Sequence, residues 1–212
     1  MSISEFKTDL KKRLIQAVSG GRFVYRFPRG RQLFLTFDDG PDPNHTLALV
    51  DILTRYNARA SFFLVGRAVE RHPDIVARLH AAGHTVGLHT HTHKTLDRME
   101  RTEFVEEIAQ NQRAIRAAIS TSPILLRPPE GRLNLRNLLW ARSIGLRVIH
   151  YTYTSNDWKA DSAGYIRSQI PDQSLEGGEI LSFHDSNAHT LEAMPALIEA
   201  CTRRGFGFQP IQ

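Results

Sequence analysis

Leu33-Phe-Leu-Thr-Phe-Asp38-Asp39-Gly40-Pro41-Asp42 is the stretch of sequence that decides the fold. Its first five residues form an apolar run typical of a buried strand, and the Gly-Pro pair after the two acids forces a turn. Asp38 and Asp39 therefore lie where a strand ends and the chain bends. Carboxylates this close both stay ionised only when positive charge neutralises them. A metal ion at one would leave the other free to act as a base, whereas the simpler interpretation is an ordinary turn.

Outward from this stretch, strand and helix patterns alternate with short connections. The predicted strands are 33–37, 60–65, 85–89, 124–126, 147–153, 179–183 and 205–211, and the predicted helices are 44–56, 73–82, 102–119, 134–144, 162–170 and 190–203. This alternation predicts an α/β fold, with a parallel sheet and crossover helices that is either closed into a barrel or doubly wound. In such folds the chemistry gathers at the carboxyl ends of the strands.

Residues 1–30 precede this pattern and are assigned to the same domain as residues 31–212. They contain a predicted amphipathic helix over 4–18 and a predicted edge strand over 22–27. The apolar residues Phe6, Leu10, Leu14 and Val18 recur at helical spacing among Lys7, Lys11, Lys12 and Arg13. Such a helix is compatible with contact at a membrane surface, but one short helix binds lipid weakly, so we expect it to lie on the domain.

The composition is that of an ordinary soluble globular protein, since 41% of the 212 residues are hydrophobic and 23% are charged. The formal net charge of +5 is spread without a long basic run, so we expect no nucleic-acid partner. A single cysteine, Cys201, excludes an intrachain disulfide. Because no signal-peptide core and no membrane span are recognisable, we expect a cytoplasmic location. The oligomeric state stays open.

His89-Thr-His-Thr-His93 follows the predicted strand 85–89. His89 and His93 are four residues apart, so one helical turn would place both on the same face. Two imidazoles in that register, joined by a carboxylate from another strand end, form a three-ligand metal site with positions open for water. Asp39 is the obvious carboxylate, and His91 would point elsewhere. A solvated histidine-rich loop is the alternative.

Three further strand ends carry polar residues. Arg127 is permanently charged and would hold an acidic neighbour in place and ionised. Asp157 stands beside Trp158 after the predicted strand 147–153. His184 follows an apolar strand and is suited to act as an acid near neutral pH. Taken singly, Arg127 and Asp157 favour an ordinary surface loop, and His184 is equally compatible with a core histidine.

Together these residues resemble a known family. Asp38-Asp39-Gly40-Pro41, His89-Thr-His-Thr-His93, Arg127-Pro-Pro129, Asp157-Trp158 and Leu181-Ser-Phe-His184 stand in the order and spacing of the polysaccharide deacetylases, the NodB-homology or carbohydrate esterase family 4 proteins. The resemblance runs from about Leu33 to the C-terminus. It implies a distorted (β/α) barrel with fewer than eight regular repeats, a catalytic domain over 31–212, and one divalent metal ion, usually zinc.

The resemblance also implies roles for individual residues. Asp38 would be the general base and Arg127 would orient it, while His184 would be the general acid, tuned by Asp157. The implied metal ligands are Asp39, His89 and His93, and the implied substrate-binding residues are Trp158 and Leu181 around the acyl methyl group, Pro129, and Glu130 with a backbone N–H for the oxyanion. The expected activity is a metal-dependent N-deacetylase for an N-acetylated amino sugar in an oligosaccharide, a polysaccharide, or a lipid-linked or nucleotide-linked sugar.

Glu130 departs from the family pattern, in which an aromatic residue usually follows Arg-x-Pro. As a hypothesis, its carboxylate recognises a hydroxyl or a cationic group on the substrate. Thr154 also stands where many relatives carry an acid. Two alternative functions remain: hydrolysis of a non-sugar amide or cyclic imide on the same fold, whose enzymes often lack the full metal set, and a catalytically inactive carbohydrate-binding domain. The second is disfavoured because a binding module needs no acid–base pair.

Overall fold

The computed structural model describes residues 3–212, including the side chains of all of these except residues 3–9 and 172. The strands are β1 (Phe23–Val24), β2 (Gln32–Asp38), β3 (Ala60–Leu64), β4 (Thr85–Leu88), β5 (Leu125–Leu126), β6 (Arg147–Ile149), β7 (Tyr153–Thr154), β8 (Ile180–His184) and β9 (Gly207–Phe208). The helices are α1 (Ile3–Val18), α2 (Thr46–Arg55), α3 (Gly66–Arg71), α4 (Pro73–Ala81), α5 (Arg101–Ile119), α6 (Leu135–Ser143), α7 (Ala163–Gln169) and α8 (Ala188–Arg203). No helix in this described part is long and apolar enough to cross a bilayer.

The strands form one parallel sheet in the order β1-β6-β5-β4-β3-β2-β8-β7, with β9 beside β2. Parallel neighbours need crossover connections, and helices supply most of these here. The architecture confirms the predicted distorted (β/α) barrel with fewer than eight regular repeats. Because all strands run the same way, their carboxyl ends share one edge.

The central strand β2 shows why the register is fixed. Leu33, Leu35 and Phe37 are fully buried in the main core cluster. Thr36 and Asp38, on the other face, point into the barrel and meet the side chain of Arg127. A one-residue slip would exchange the two faces. Each large apolar side chain contributes roughly 1.5–3 kcal/mol on burial, so the three together hold Asp38 on the inner face.

Four elements differ from the prediction, and one of them is the predicted edge strand 22–27, which is reduced to β1. The predicted strand 147–153 is divided into β6 and β7, because residues 150–152 cross the open end of the barrel. His150 N–H donates to the carbonyl of Val24 at 2.8 Å, and Thr152 N–H donates to that of Ile180 at 2.9 Å. The predicted strand 205–211 is reduced to β9. The helix α3 lies between the predicted strand 60–65 and the predicted helix 73–82, where the sequence pattern indicated no element.

The N-terminal helix α1 lies on the domain, but not through the predicted apolar stripe. Leu10, Leu14 and Val18 are 47%, 59% and 82% exposed, so the stripe is wrong for these three residues. The helix instead contacts the rest of the domain through the adjacent side of its surface. Gln16 accepts backbone N–H groups of Tyr25 and Arg26 at 2.6 and 2.9 Å and donates to the carbonyl of Arg26 at 2.7 Å. Ile15 packs against the core, and the side chain of Phe6 is outside the described part.

Candidate active site

The polar residues that follow the strands meet in one cleft at the carboxyl edge of the sheet. The cleft has a volume of about 730 Å³, and its walls include Asp38, Asp39, His89, His93 and His184. Asp38 and His184 are the last residues of β2 and β8 and stand opposite each other in the strand register. The parallel sheet therefore joins residues that are about 150 positions apart in sequence, and this volume is in the usual range of roughly 300–1,000 Å³ for ligand sites.

Asp39, His89 and His93 form a group with the geometry of a metal site. Asp39 Oδ1 lies 3.3 Å from His89 Nε2 and 3.0 Å from His93 Nε2, and the three candidate ligand atoms are within 4.8 Å of one another. His89 Nδ1 lies 2.8 Å from the carbonyl oxygen of Arg127, which only accepts, so Nδ1 carries the proton. His89 Nε2 thus directs a lone pair at Asp39 Oδ1, which is buried and makes no hydrogen bond. Two facing acceptors need a cation between them, so the residues fit a divalent metal ion, and two imidazoles with one carboxylate suit zinc.

The backbone brings these ligands together in an unexpected way. Residues 89–93 form no helical turn, which corrects the reason given for the pairing of the two histidines. Thr90 and His93 instead have φ values of 60° and 61°, and Asp39 has φ 76°, all in the left-handed region. Non-glycine residues seldom adopt this conformation and tend to do so at functional sites. Burial raises the pKa of Asp39, but the imidazoles of His89 and His93 beside its carboxylate outweigh this effect and hold the pKa well below its usual value.

Asp38 is held by a fully buried arginine. Arg127 Nη1 donates to Asp38 Oδ1 at 2.9 Å and to Thr36 Oγ1 at 2.6 Å. Ser182 Oγ donates to the other carboxylate oxygen at 3.3 Å. Arg127 is 1% exposed and its guanidinium lies 4.2 Å from the centre of the Phe63 ring, so its charge is shielded from solvent. A charge buried in this way needs a paired counter-charge, which keeps Asp38 ionised and oriented.

His184 is paired with a buried carboxylate. Its Nδ1 lies 2.6 Å from Asp157 Oδ1, and its backbone N–H donates to Asp157 Oδ2 at 2.7 Å. Thr190 Oγ1 donates to the same Oδ2 at 2.7 Å. Asp157 is fully buried, so the imidazole is held by its inner nitrogen while Nε2 faces Asp39 at 3.8 Å. This is the orientation of a group that transfers a proton at Nε2.

The environment of His184 favours its protonated form. Burial lowers the pKa of His184, but the hydrogen bond and negative charge of Asp157, with smaller contributions from Asp38 and Asp39, raise it to about 9. For Asp157 burial raises the pKa, but the hydrogen bonds and charge of His184 and the hydrogen bond from Thr190 together outweigh burial and lower the pKa below its usual value. The two groups therefore form an imidazolium–carboxylate pair at neutral pH.

The structure brings two of the four predicted substrate-binding residues into the cleft wall. Glu130 and Trp158 line it, and the Trp158 ring meets His184 edge-on at 5.4 Å between centroids. Leu181 does not line the cleft: it is fully buried in the main core on the face of β8 opposite Ser182 and His184, so its assignment as a pocket residue is wrong. Pro129 is likewise buried and does not line the cleft, although Glu130 and Gly131 of the same short turn do.

Several residues of the cleft wall were not singled out from the sequence. Ser182 contacts Asp38, and the period-two alternation of β8 was a signal for it, because it lies two residues before His184 on the same face. Tyr151 belongs to the segment that crosses the barrel, which no strand pattern indicates. Asn187 also lines the cleft, and its Nδ2 donates to the carbonyl of Asp157 at 2.6 Å. It comes after β8, where a contact with the distant Asp157 is not recognisable from sequence.

The cleft holds an acid beside a buried arginine and an imidazolium beside a buried acid. It also holds a possible ligand set of two histidines and one carboxylate, and these are the groups that a hydrolase site needs. The chain belongs to the polysaccharide deacetylase family, whose profile matches residues 25–149. It is therefore a hydrolase of the class that acts on the carbon–nitrogen bond of sugar acetamides.

Individual relatives agree with this assignment. A chitooligosaccharide deacetylase of Bradyrhizobium sp. (strain ANU 289) is 33% identical over 196 residues, covering 85% of this chain and 89% of the relative. A peptidoglycan-N-acetylglucosamine deacetylase of Bacillus cereus is 30% identical over 180 residues, covering 84% of this chain and 66% of the relative. Among solved structures, the Bc1960 peptidoglycan N-acetylglucosamine deacetylase superposes with a TM-score of 0.86 at 27% identity, covering 92% of this chain and 94% of that one.

Proposed function

We propose that this protein removes the acetyl group from N-acetylglucosamine residues of an oligosaccharide or polysaccharide, with one zinc ion held by Asp39, His89 and His93. The observation that carries the proposal is that the ligand group lies between an ionised acid and an imidazolium. Asp39 has Asp38 as its neighbour in sequence and His184 Nε2 at 3.8 Å. The names of the relatives support the sugar, because chitooligosaccharides and peptidoglycan N-acetylglucosamine are the substrates they state.

The residues of the cleft divide the reaction between two proton transfers. A zinc ion bound at the three ligands would polarise the acetamide carbonyl and acidify water. Asp38, kept ionised by Arg127, accepts the proton of the attacking water. His184, protonated at Nε2, donates a proton to the amide nitrogen, since an amine leaves only after it has been protonated. Asp157 stabilises the imidazolium and fixes the ring through Nδ1.

Removal of the metal tests this proposal. After chelation, we expect acetate release from N-acetylated chitooligosaccharides to fall by at least about 100-fold, and one equivalent of zinc should restore it. His93→Ala should behave like the chelated protein and fail to recover, because the third ligand is missing. The measurements are metal content and acetate release.

The matched control is His80→Ala, which removes an exposed histidine of α4 remote from the ligand group. Its activity and zinc content should equal those of the wild type. Undiminished activity of the metal-free protein would contradict metal dependence. Turnover of a simple amide or cyclic imide in preference to every N-acetylated sugar would contradict the substrate class.

Glu130 is proposed to contact the substrate beside the scissile group. Its side chain is 59% exposed in the cleft wall, and its backbone is in the left-handed region with φ 56°. Its cationic neighbour Arg132 is 3.7 Å away and is engaged by Asp97, which accepts from Arg132 Nη2 and Nε at 2.8 and 3.0 Å. The Glu130 carboxylate therefore retains acceptor capacity for a hydroxyl or ammonium group of a sugar.

Glu130→Gln should raise KM about threefold to tenfold with little change in kcat, because a hydrogen bond to a charged group is lost in both the bound substrate and the transition state. A larger effect on oligosaccharides that carry a free amino group than on fully acetylated ones would identify the cation as the partner. Glu100→Gln is the matched control, since Glu100 also faces an arginine at long distance, Arg136 at 3.8 Å. An unchanged KM for both kinds of substrate would exclude a contact with Glu130.

A further inference from the structure

The inner face of α5 reaches the loop that carries the two histidine ligands. We call residues 89–93 the metal loop. Glu107, which is 7% exposed, accepts three hydrogen bonds from this loop. Its Oε2 accepts the backbone N–H groups of His91 and Thr92 at 2.9 and 2.8 Å, and its Oε1 accepts the hydroxyl of Thr92 at 2.7 Å. A buried carboxylate that accepts several N–H and O–H donors is stable as the ion and holds those donors in fixed positions.

Asn111 holds the other side of the same loop. It lies one helical turn after Glu107 and is fully buried. Its Nδ2 donates to the carbonyl of Thr90 at 2.5 Å and to the carbonyl of Leu64, the last residue of β3, at 3.0 Å. One amide group therefore connects the loop to a strand of the sheet. Glu107 takes the donors of the loop and Asn111 takes one of its acceptors.

The metal loop needs such support because its backbone is unfavourable by itself. Thr90 and His93 both have left-handed φ values, and Thr90 branches at Cβ, which makes this conformation especially costly. A relaxed loop would rotate His93 away from His89 and Asp39. The hydrogen bonds from Glu107 and Asn111 of α5 oppose this relaxation. Within the metal loop these two side chains bond to backbone groups and to the Thr92 hydroxyl, and not to the histidine ligands.

We propose that Glu107 and Asn111 are positioning residues of the metal site, which set its affinity for a divalent ion through the backbone of residues 90–92. They are not ligands, and in the described part of the chain neither lines the cleft. The inference rests on the proposed metal dependence, but metal affinity can be measured without substrate. A failure of the deacetylase assignment and a failure of this inference are therefore distinguishable.

Variants that keep the size of the side chain, compared with one that truncates it, separate the effect of the hydrogen bonds from the effect of side-chain volume. In Glu107→Gln one oxygen still accepts both backbone N–H groups, and the Thr92 hydroxyl can turn to accept from the new amide. Glu107→Ala loses all three hydrogen bonds. Asn111→Asp keeps the shape but places carboxylate oxygens against the two carbonyls that Asn111 served. Thr92→Val removes a single hydrogen bond and serves as the intermediate variant.

The experiment measures the zinc dissociation constant of each metal-free protein by competition with a chelator. Glu107→Ala and Asn111→Asp should bind zinc about 10–100-fold more weakly, the range found for groups that orient metal ligands. Glu107→Gln should stay within about threefold of the wild type, and Thr92→Val should fall between them. The absorption spectrum of the Co²⁺-loaded proteins should change in the same order, because it reports ligand geometry.

Two variants of the same helix serve as controls. Glu106→Ala removes an exposed carboxylate that pairs with Gln110 and Arg113. Ile115→Ala destabilises the core without touching the loop, since Ile115 is fully buried in the main cluster. Zinc affinity should be unchanged in both. The proposal is overturned if Glu107→Ala, Asn111→Asp and Thr92→Val bind zinc as tightly as the wild type. It is also overturned if Ile115→Ala weakens zinc binding as much as Glu107→Ala does when the two variants have the same thermal stability.

Discussion

Asp38→Asn will reduce kcat for acetate release by about 10²–10⁴, the usual contribution of a positioned general base. Asparagine keeps the shape of the side chain, and its oxygen can still accept from Arg127, but it cannot take a proton from water. The loss should therefore appear in kcat, with KM and zinc content close to those of the wild type. Steady-state kinetics and metal analysis of the purified variant measure these quantities.

The same substitution should also lower stability, because Arg127 then retains its charge in a buried site without a counter-charge. Breaking a buried ion pair from one side costs about 3–5 kcal/mol, and the retained hydrogen bond places this variant near the lower limit. Urea denaturation measures the loss. Asp51→Asn, at an exposed position of α2, is the matched control and should change neither quantity. Full activity in Asp38→Asn would remove Asp38 from the mechanism.

The pattern of the sequence was sufficient to predict that most of the candidate site residues lie near one another, because a parallel sheet brings all strand ends to one edge. Asp38, His89, Arg127, Asp157 and His184 each follow or end a strand whose existence was readable from apolar runs. The topology brings Asp38, His89 and His184 to one cleft, and Arg127 and Asp157 lie buried beside them as partners of Asp38 and His184. No knowledge of side-chain packing was needed for that step.

The errors have specific physical causes. Leu181 was assigned to the pocket by resemblance, although strand alternation places it with the buried Phe183 and opposite His184. The helix α1 was expected to lie on the domain, but its apolar stripe does not form the contact, because helical periodicity shows that a face is apolar and not what covers it. Gln16 decides the attachment instead, through hydrogen bonds to residues nine and ten positions away.

The support of the metal loop was beyond prediction for a different reason. His89 and His93 were paired by assuming a helical turn, yet left-handed residues bring them together. The residues that stabilise this conformation, Glu107 and Asn111, lie on a helix whose polar positions look like an ordinary solvated face. Only the packing of α5 against the loop shows that these two are buried. Long-range hydrogen bonds of this kind leave no periodic signal in a sequence.

Asp157→Asn will move the alkaline limb of the pH profile of kcat/KM to lower pH. In the metal-free protein the pKa of His184 is about 9, because Asp157 outweighs the effect of burial. A metal ion at Asp39 cancels part of the negative charge near His184, so the limb of the loaded enzyme should fall between pH 6.5 and 9. Without the charge of Asp157, the largest cause that raises the pKa of His184 is lost while burial still lowers it, so the pKa falls below that of the wild type. Activity at pH 8 should then fall at least tenfold more than activity at pH 6.

The free energy of unfolding should also depend on pH, in the direction expected for a histidine whose pKa is raised in the folded state. Protonated His184 stabilises the folded state fully below pH 6.5, and this contribution is lost as pH rises through about 9. Asp157→Asn should remove this pH-dependent loss from urea denaturation of the metal-free protein. Thr190→Val is the control, since it deletes one hydrogen bond to Asp157 and leaves the charge in place, so its alkaline limb should stay near that of the wild type. An unshifted limb in Asp157→Asn would mean that His184 is not the acid whose ionisation limits the reaction.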